Sequence, residues 1–136
     1  MKKQEKVINF PKTNYSVGDF LTRVKNAAMS GNKKVQFFES RKVFEIAKAL
    51  LKLGFLEEAK KANGGIESSL TFKNKKPVIR DIKLISKPGL RVYMKAESIS
   101  KKKGPSVYLI STPLGVLSSR EAVKNRVGGE VIAEIW

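Results

Sequence analysis

Cysteine and histidine are both absent from this chain of 136 residues. Without cysteine there is no disulfide, thiolate ligand or thiol nucleophile, and the redox compartment leaves no mark. Without histidine the usual neutral-pH proton shuttle and the commonest metal ligand are missing. Carboxylates are few: 12 in all, with aspartate only at Asp19 and Asp81 and the glutamates scattered. Two-metal phosphodiester chemistry needs clustered carboxylates, so no metal, cofactor or enzymatic activity is expected. No apolar run approaches the ~18 residues of a membrane span. The basic start, Met1 to Lys6, carries Glu5 and has no apolar core behind it, which argues against a cleavable signal. A soluble protein with no small-molecule substrate and no membrane partner is the expectation.

What the chain has in excess is positive charge. Its 28 Lys and Arg leave a formal +16. Self-repulsion on that scale is tolerated mainly when an anionic partner neutralises it, and nucleic acid is the obvious polyanion. A membrane surface fits less well, because no long basic amphipathic helix with exposed aromatics is present. A length of 136 residues with 41% hydrophobic content suffices to bury roughly two-thirds of the unfolded surface. One domain, or two small packed lobes, is implied.

Residues 1–14 lack periodicity and are interrupted by Pro11, as expected of a basic N-terminal arm. Ser16, with Asp19 three residues on, has capping-box spacing, and Val17, Phe20, Leu21, Val24 and Ala28 then form one helical stripe. Gly31-Asn32 ends that helix. Lys34 to Phe38 is a short strand with Val35 and Phe37 on one face. Ser40 opens a second helix whose stripe is Val43, Ile46, Ala47, Leu50 and Leu53, with Arg41, Glu45, Lys48 and Lys52 on the wet face. Gly54 stands at its C′ position. Phe55 to Lys60 and a returning strand through Ile66, Leu70 and Phe72 flank the turn Asn63-Gly64-Gly65. These elements make an α-β-α-β-β lobe over residues 15–76.

Residues 77–136 form a second, mainly β lobe with a short helix, giving an α+β fold of two small lobes. Val78 to Ser86 is expected as a strand, followed by the turn Lys87-Pro88-Gly89. Leu90, Val92 and Met94 then alternate with Arg91, Tyr93 and Lys95. The first set suits a core. The second sets a guanidinium, a phenol and an ammonium on one exposed face, suited to phosphates and to packing on a sugar or base. A helical turn at Ala96 to Ile99 precedes the basic loop Lys101-Lys102-Lys103. Val107 to Ile110 feeds Ser111-Thr112, where two hydroxyls and Gly115 bring small polar groups and bare backbone to a surface. Ser118 with Glu121 repeats the capping-box spacing over a helix to about Asn125. Gly128-Gly129, which has no phosphate-loop spacing, is expected to turn the chain into a final strand, Glu130 to Trp136.

In order, Phe20-Leu21-Thr22-Arg23-Val24-Lys25-Asn26-Ala27, Gly54-Phe55-Leu56, Ser86-Lys87-Pro88-Gly89-Leu90-Arg91-Val92-Tyr93 and the C-terminal hydroxyl loop with its Gly-Gly-Glu resemble the bacterial-type small-subunit ribosomal protein eight family. The resemblance runs from Tyr15 to Trp136. It implies binding to the central domain of small-subunit ribosomal RNA, early in assembly and chiefly through the C-terminal lobe, beside neighbouring small-subunit ribosomal proteins. By position, Ser111 and Thr112 would donate and accept at the groove side of the RNA, and Gly115 would allow close backbone approach. Tyr93 would pack on a ribose, with Arg91 and Lys87 on phosphates. Gly128, Gly129 and Glu130 would shape the adjoining loop. Arg23 and Asn26 would touch a second RNA segment.

Two positions depart from that pattern. Pro113 stands where the family usually has a third hydroxyl, and Leu114 where it usually has a cation, removing a hydrogen bond and a phosphate contact. Pro113 resembles the α-proteobacterial and mitochondrial variant of the loop, and the lysine-rich start exceeds the short bacterial one, so a ribosome in the mitochondrial matrix is favoured over a bacterial cytoplasm or a plastid. Two rivals compete with this reading. A general basic packaging protein would rely on Lys101 to Lys103 more than on the hydroxyls. A serine–lysine hydrolase would need a lysine within reach of Ser111 and an oxyanion pocket.

Overall fold

The structure, a computed structural model, describes residues 15–136, and the arm expected over residues 1–14 lies outside the described residues. Helix α1 (Ser16–Ser30) buries its expected stripe, Val17, Phe20, Leu21, Val24 and Ala28. Its start differs from expectation. The N-cap is Tyr15, and no side chain caps the first turn. The Tyr15 phenol instead donates to the Ser86 carbonyl at 2.7 Å, and Ser16 falls inside the helix. Gly31, at φ 77°, closes the far end.

Helix α2 (Arg41–Lys52) begins as expected at Ser40, whose Oγ accepts from the Val43 N–H at 3.5 Å. Val43, Ile46, Ala47 and Leu50 are buried, while Leu53 at the C-cap is half-buried. Gly54 takes φ 86°, so its N–H and that of Phe55 fold back onto the Leu51 and Leu50 carbonyls. Strands β1 (Lys34–Phe38), β2 (Leu56–Ala62) and β3 (Gly65–Leu70) form an antiparallel sheet in the order β1-β3-β2. Asn63 and Gly64 both have positive φ, as a two-residue type I′ hairpin requires. Phe72 does not continue the β3 face as expected. It belongs to β4 (Phe72–Lys73), which pairs with β5 (Lys76–Pro77) across Asn74 and Lys75.

The C-terminal half is built around its last strand. β10 (Gly129–Ile135) pairs antiparallel with β8 (Val107–Thr112) on one edge, and with β6 (Ile82–Leu84) and β7 (Tyr93–Met94) on the other. β9 (Gly115–Ser118) lies outside β8. Helices α3 (Ala96–Ser100) and α4 (Ser119–Lys124) complete the half, with Ser118 capping α4 through the Glu121 N–H at 3.3 Å. This sheet is covered on both faces. Leu109, Ile132, Ala133 and Ile135 join one core with Phe20, Leu21, Ile46 and Leu50 of the helices. Ile110 and Val131 face a smaller cluster with Ile99 and Ala122. Residues of both expected lobes therefore contribute to the larger core.

Three expectations are corrected in this half. The strand expected over Val78 to Ser86 is reduced to β6. Leu90 is 64% exposed: Pro88-Gly89 makes a tight turn, with Gly89 at φ 82° and reciprocal Lys87–Leu90 backbone bonds of 2.9 Å, so Leu90 flanks the tip of a two-residue hairpin and stays out of the core. Gly128-Gly129 is not the turn. The chain reverses at Arg126, which takes φ 55° while the Val127 N–H bonds to Ala122.

Ser86 is fully buried and ties the β7 approach to β10. Its Oγ donates to the Val131 carbonyl at 2.6 Å and accepts from the Val92 N–H at 3.0 Å. Ser86→Ala leaves that N–H without its partner, and a buried unsatisfied donor costs about 1–3 kcal/mol. Urea denaturation should show a lower midpoint with an unchanged m value; an unshifted midpoint would mean that water replaces the hydroxyl.

Candidate nucleic-acid interface

Register on β10 decides which side chains meet. Glu130 pairs with Ser111 of β8 and with Tyr93 of β7. Directly opposed residues share a face of the sheet, so Ser111, Glu130 and Tyr93 form a row across three strands. Ser111 and Glu130 are half-buried, and Tyr93 is 70% exposed. The expected alternation of exposed Arg91, Tyr93 and Lys95 with half-buried Val92 and Met94 is present.

Arg91 and Glu130 form an ion pair at 3.1 Å. The Arg91 guanidinium also lies over the Tyr15 ring, 5.1 Å from its centroid. Part burial raises the Tyr15 phenol above its ordinary pKa, the Glu130 carboxylate adds to this, and Arg91 opposes it. The protonated phenol donates to the Ser86 carbonyl. A cavity of about 250 Å³ lined by Tyr15, Ser16, Lys42, Arg91 and Glu130 opens beside the row.

Lys42 was not anticipated. It lies on α2, in the other half of the sequence, and its Nζ donates to Ser111 Oγ. No acid pairs with it among the described residues. Its position next to the wet-face residue Arg41 was legible; its reach to Ser111 was not. Tyr15 and Ser86 were missed in the same way, since a phenol at a helix start and a serine at a strand end have no local signature.

The two neighbouring hydroxyls have different surroundings. Thr112 is 9% exposed. Its Oγ1 donates to the Gly115 carbonyl at 2.8 Å and accepts from the Leu114 N–H at 3.1 Å, bracing the β8–β9 hairpin. Pro113 and Leu114 form the tip, with Leu114 61% exposed. Gly115 takes φ 112° and has open space beside it, a conformation that side chains disfavour.

Gly128 and Gly129 serve the sheet itself. A Cβ on Gly128 would come within 2.4 Å of the Met94 carbonyl, and one on Gly129 within 2.0 Å of the Ser111 carbonyl. Neither has positive φ; close strand approach, not turning, requires them. Lys87 and Asn26 border a separate groove of about 470 Å³ with Thr22, Lys25 and Lys83. There Lys25 pairs with Asp81 at 3.0 Å, and bonds from Lys25 and the Ile82 N–H hold the Asp81 carboxyl below its ordinary range. Arg23 is exposed and lies over the Phe37 ring at 5.5 Å, apart from the row. Of the basic loop, Lys102 is withdrawn. Its side chain is 9% exposed, bonded to Ser106 at 2.7 Å, and 3.9 Å from Glu134. Lys101 and Lys103 remain exposed.

Gly129→Ala forces β10 away from β8, since the clash is with backbone that cannot rotate aside. Overpacking of this kind costs about 1–3 kcal/mol, read as a fall in thermal midpoint. An unchanged melt would show that the strands can separate without loss.

The chain matches the family described as Ribosomal protein S8 over residues 16–136. It is similar to "Small ribosomal subunit protein uS8" of Anaeromyxobacter sp. (strain K), 38% identical over 126 residues covering 88% of this chain and 96% of the relative. The protein of that name from Mycoplasmopsis pulmonis is 42% identical over 125 residues, covering 88% and 95%. That from Nostoc punctiforme is 34% identical over 130 residues, covering 90% and 98%. With a family match across nearly all the described residues and relatives aligned over almost their whole length, the chain belongs to the ribosomal protein S8 family of the small ribosomal subunit.

Proposed function

We propose that this chain binds the central domain of small-subunit ribosomal RNA, supporting subunit assembly and translation without a catalytic role. A structural ribosomal role follows from the family; the RNA segment and its reading are our inference. The cross-strand row Ser111–Glu130–Tyr93 carries it. Folded RNA offers a wide, shallow minor groove with ribose hydroxyls and base edges, read by hydrogen bonding and packing more than by charge. A serine hydroxyl and an exposed phenol, set in line on a rigid sheet, suit that surface. Thr112 then supports the reading hairpin from within, and Gly115 lets backbone approach.

The surplus cations supply attraction and Ser111 with Tyr93 supply choice. Lys42, Lys87, Lys95, Lys101 and Lys103 are candidates for phosphates, with Asn26 and Arg23 on a second RNA segment. Neighbouring small-subunit proteins are the other partners we propose. The relatives named above are bacterial proteins, so the setting we propose is a bacterial-type ribosome; a mitochondrial one rests only on Pro113 and the lysine-rich start.

One observation favours a second reading. Lys42 on Ser111 is the contact that a serine–lysine hydrolase needs. A catalytic lysine works from a desolvated pocket, whereas Lys42 is only half-buried and shares its cavity with Glu130. Labelling of Ser111 by a fluorophosphonate would establish the hydrolase; an unlabelled serine is the expected result.

The RNA reading predicts that Ser111→Ala reduces preference for a central-domain transcript over a scrambled one by about fivefold, the worth of a neutral hydrogen bond of ~1 kcal/mol. Equal losses on both RNAs would favour the general packaging protein. With ~six phosphates contacted, overall affinity should drop about a thousandfold between ~50 and ~200 mM salt, while the preference ratio holds steady. Filter binding across a salt series measures both quantities.

A further inference from the structure

We propose that Lys42 is a positioning residue for RNA recognition: it fixes the Ser111 hydroxyl as an outward-facing donor, so that reading the RNA requires both halves of the chain. The inference rests on the RNA-binding reading above and adds to it a residue and a rule of selection.

The argument begins with donor and acceptor counts. An ammonium group has three donors and no acceptor, and a serine hydroxyl has one donor and two acceptor lone pairs. Lys42 Nζ meets Ser111 Oγ, so Ser111 must accept there. Its own proton is left over, and no acceptor for it is found among the described residues. Thr112 is different, because its proton is already committed to the Gly115 carbonyl at 2.8 Å. Of the two adjacent hydroxyls, only Ser111 offers a proton outward.

Nearby charges reinforce this arrangement. Glu130 stands beside Ser111 in the row, and Arg91 pairs with one oxygen of its carboxylate at 3.1 Å. Arg91 is itself positioned by the Tyr15 ring. Lys42 bonds the neutral hydroxyl, and no acid forms an ion pair with it among the described residues. The resulting pair is an ammonium beside an outward O–H. It fits a neutral acceptor on the RNA, such as a ribose 2′-oxygen or a minor-groove base atom, with a phosphate within reach of the ammonium. A partner presenting only a donor at that point can use the second Ser111 lone pair but leaves the Ser111 proton unpaired, and so binds less well.

The test uses the full chain in fluorescence anisotropy with two probes, a central-domain transcript and a scrambled transcript of equal length. Lys42→Met, Ser111→Ala and the double variant are compared, with Lys42→Arg as the variant that retains charge and donors. Lys42→Met should lower the preference ratio about fivefold. In the Ser111→Ala background it should lower that ratio no further, because its effect on choice runs through the hydroxyl. Lys42→Arg should keep most of the ratio.

Equal loss of affinity on both probes would reduce Lys42 to a plain phosphate contact and overturn the inference. Independent losses that multiply in the double variant would overturn it too. A wild-type chain with no preference between the probes would instead sink the RNA reading itself, before any variant is measured.

Discussion

Strand β10 can lie against β8 at the Ser111 position only because Gly129 has no side chain, and most of the recognition surface depends on that approach. A single methyl would meet the Ser111 carbonyl at 2.0 Å. Gly128 plays the same part towards Met94 and the start of α3. With both strands held close, Glu130 stands between Ser111 and Tyr93, and the row forms. The buried Ser86 hydroxyl then secures the β7 side, and the Tyr15 phenol ties α1 to the same point. The surface is rigid because each strand beneath it is fastened by backbone that cannot shift sideways without breaking a buried bond.

Charge is distributed with some economy. The acids on the N-terminal sheet are largely occupied by local lysines, with Glu57 on Lys33, Glu58 and Glu67 on Lys60, and Glu39 on Lys61. These exposed pairs are worth little to stability, but they keep single-sign charge from accumulating on that sheet. Elsewhere cations exceed acids, and a long-range field towards an anion follows. Lys102 shows that a run of three lysines need not act as one patch. Its ammonium packs over the Tyr108 ring and towards Glu134, while its neighbours stay in water.

Ser111 and Thr112 illustrate how strand geometry separates adjacent residues of similar chemistry. Successive side chains on β8 point to opposite faces. Ser111 therefore falls on the open row and Thr112 in the hairpin interior. Pro113 at the tip supplies no N–H, and the Leu114 N–H is satisfied by the Thr112 hydroxyl instead. The absence of a third hydroxyl is thus compatible with a closed turn, although Leu114 adds an exposed apolar residue where a cation would have met phosphate.

The sequence by itself determined the α+β class, the two helices with their buried stripes, the hairpin at Asn63-Gly64 and the alternation around Tyr93. Each is a local matter of periodicity, capping or turn chemistry. It misplaced what depends on distant partners. Ser16 has the spacing of a cap, but Tyr15 takes that position because its phenol finds Ser86, 71 residues away. Gly128-Gly129 has the composition of a turn, but its real constraint is a carbonyl on another strand, and the turn is made by Arg126. Tertiary structure alone decided that Lys42 would meet Ser111 and that Arg91 would meet Glu130, because such pairings are set by how helix and sheet pack, and no spacing along the chain encodes that distance.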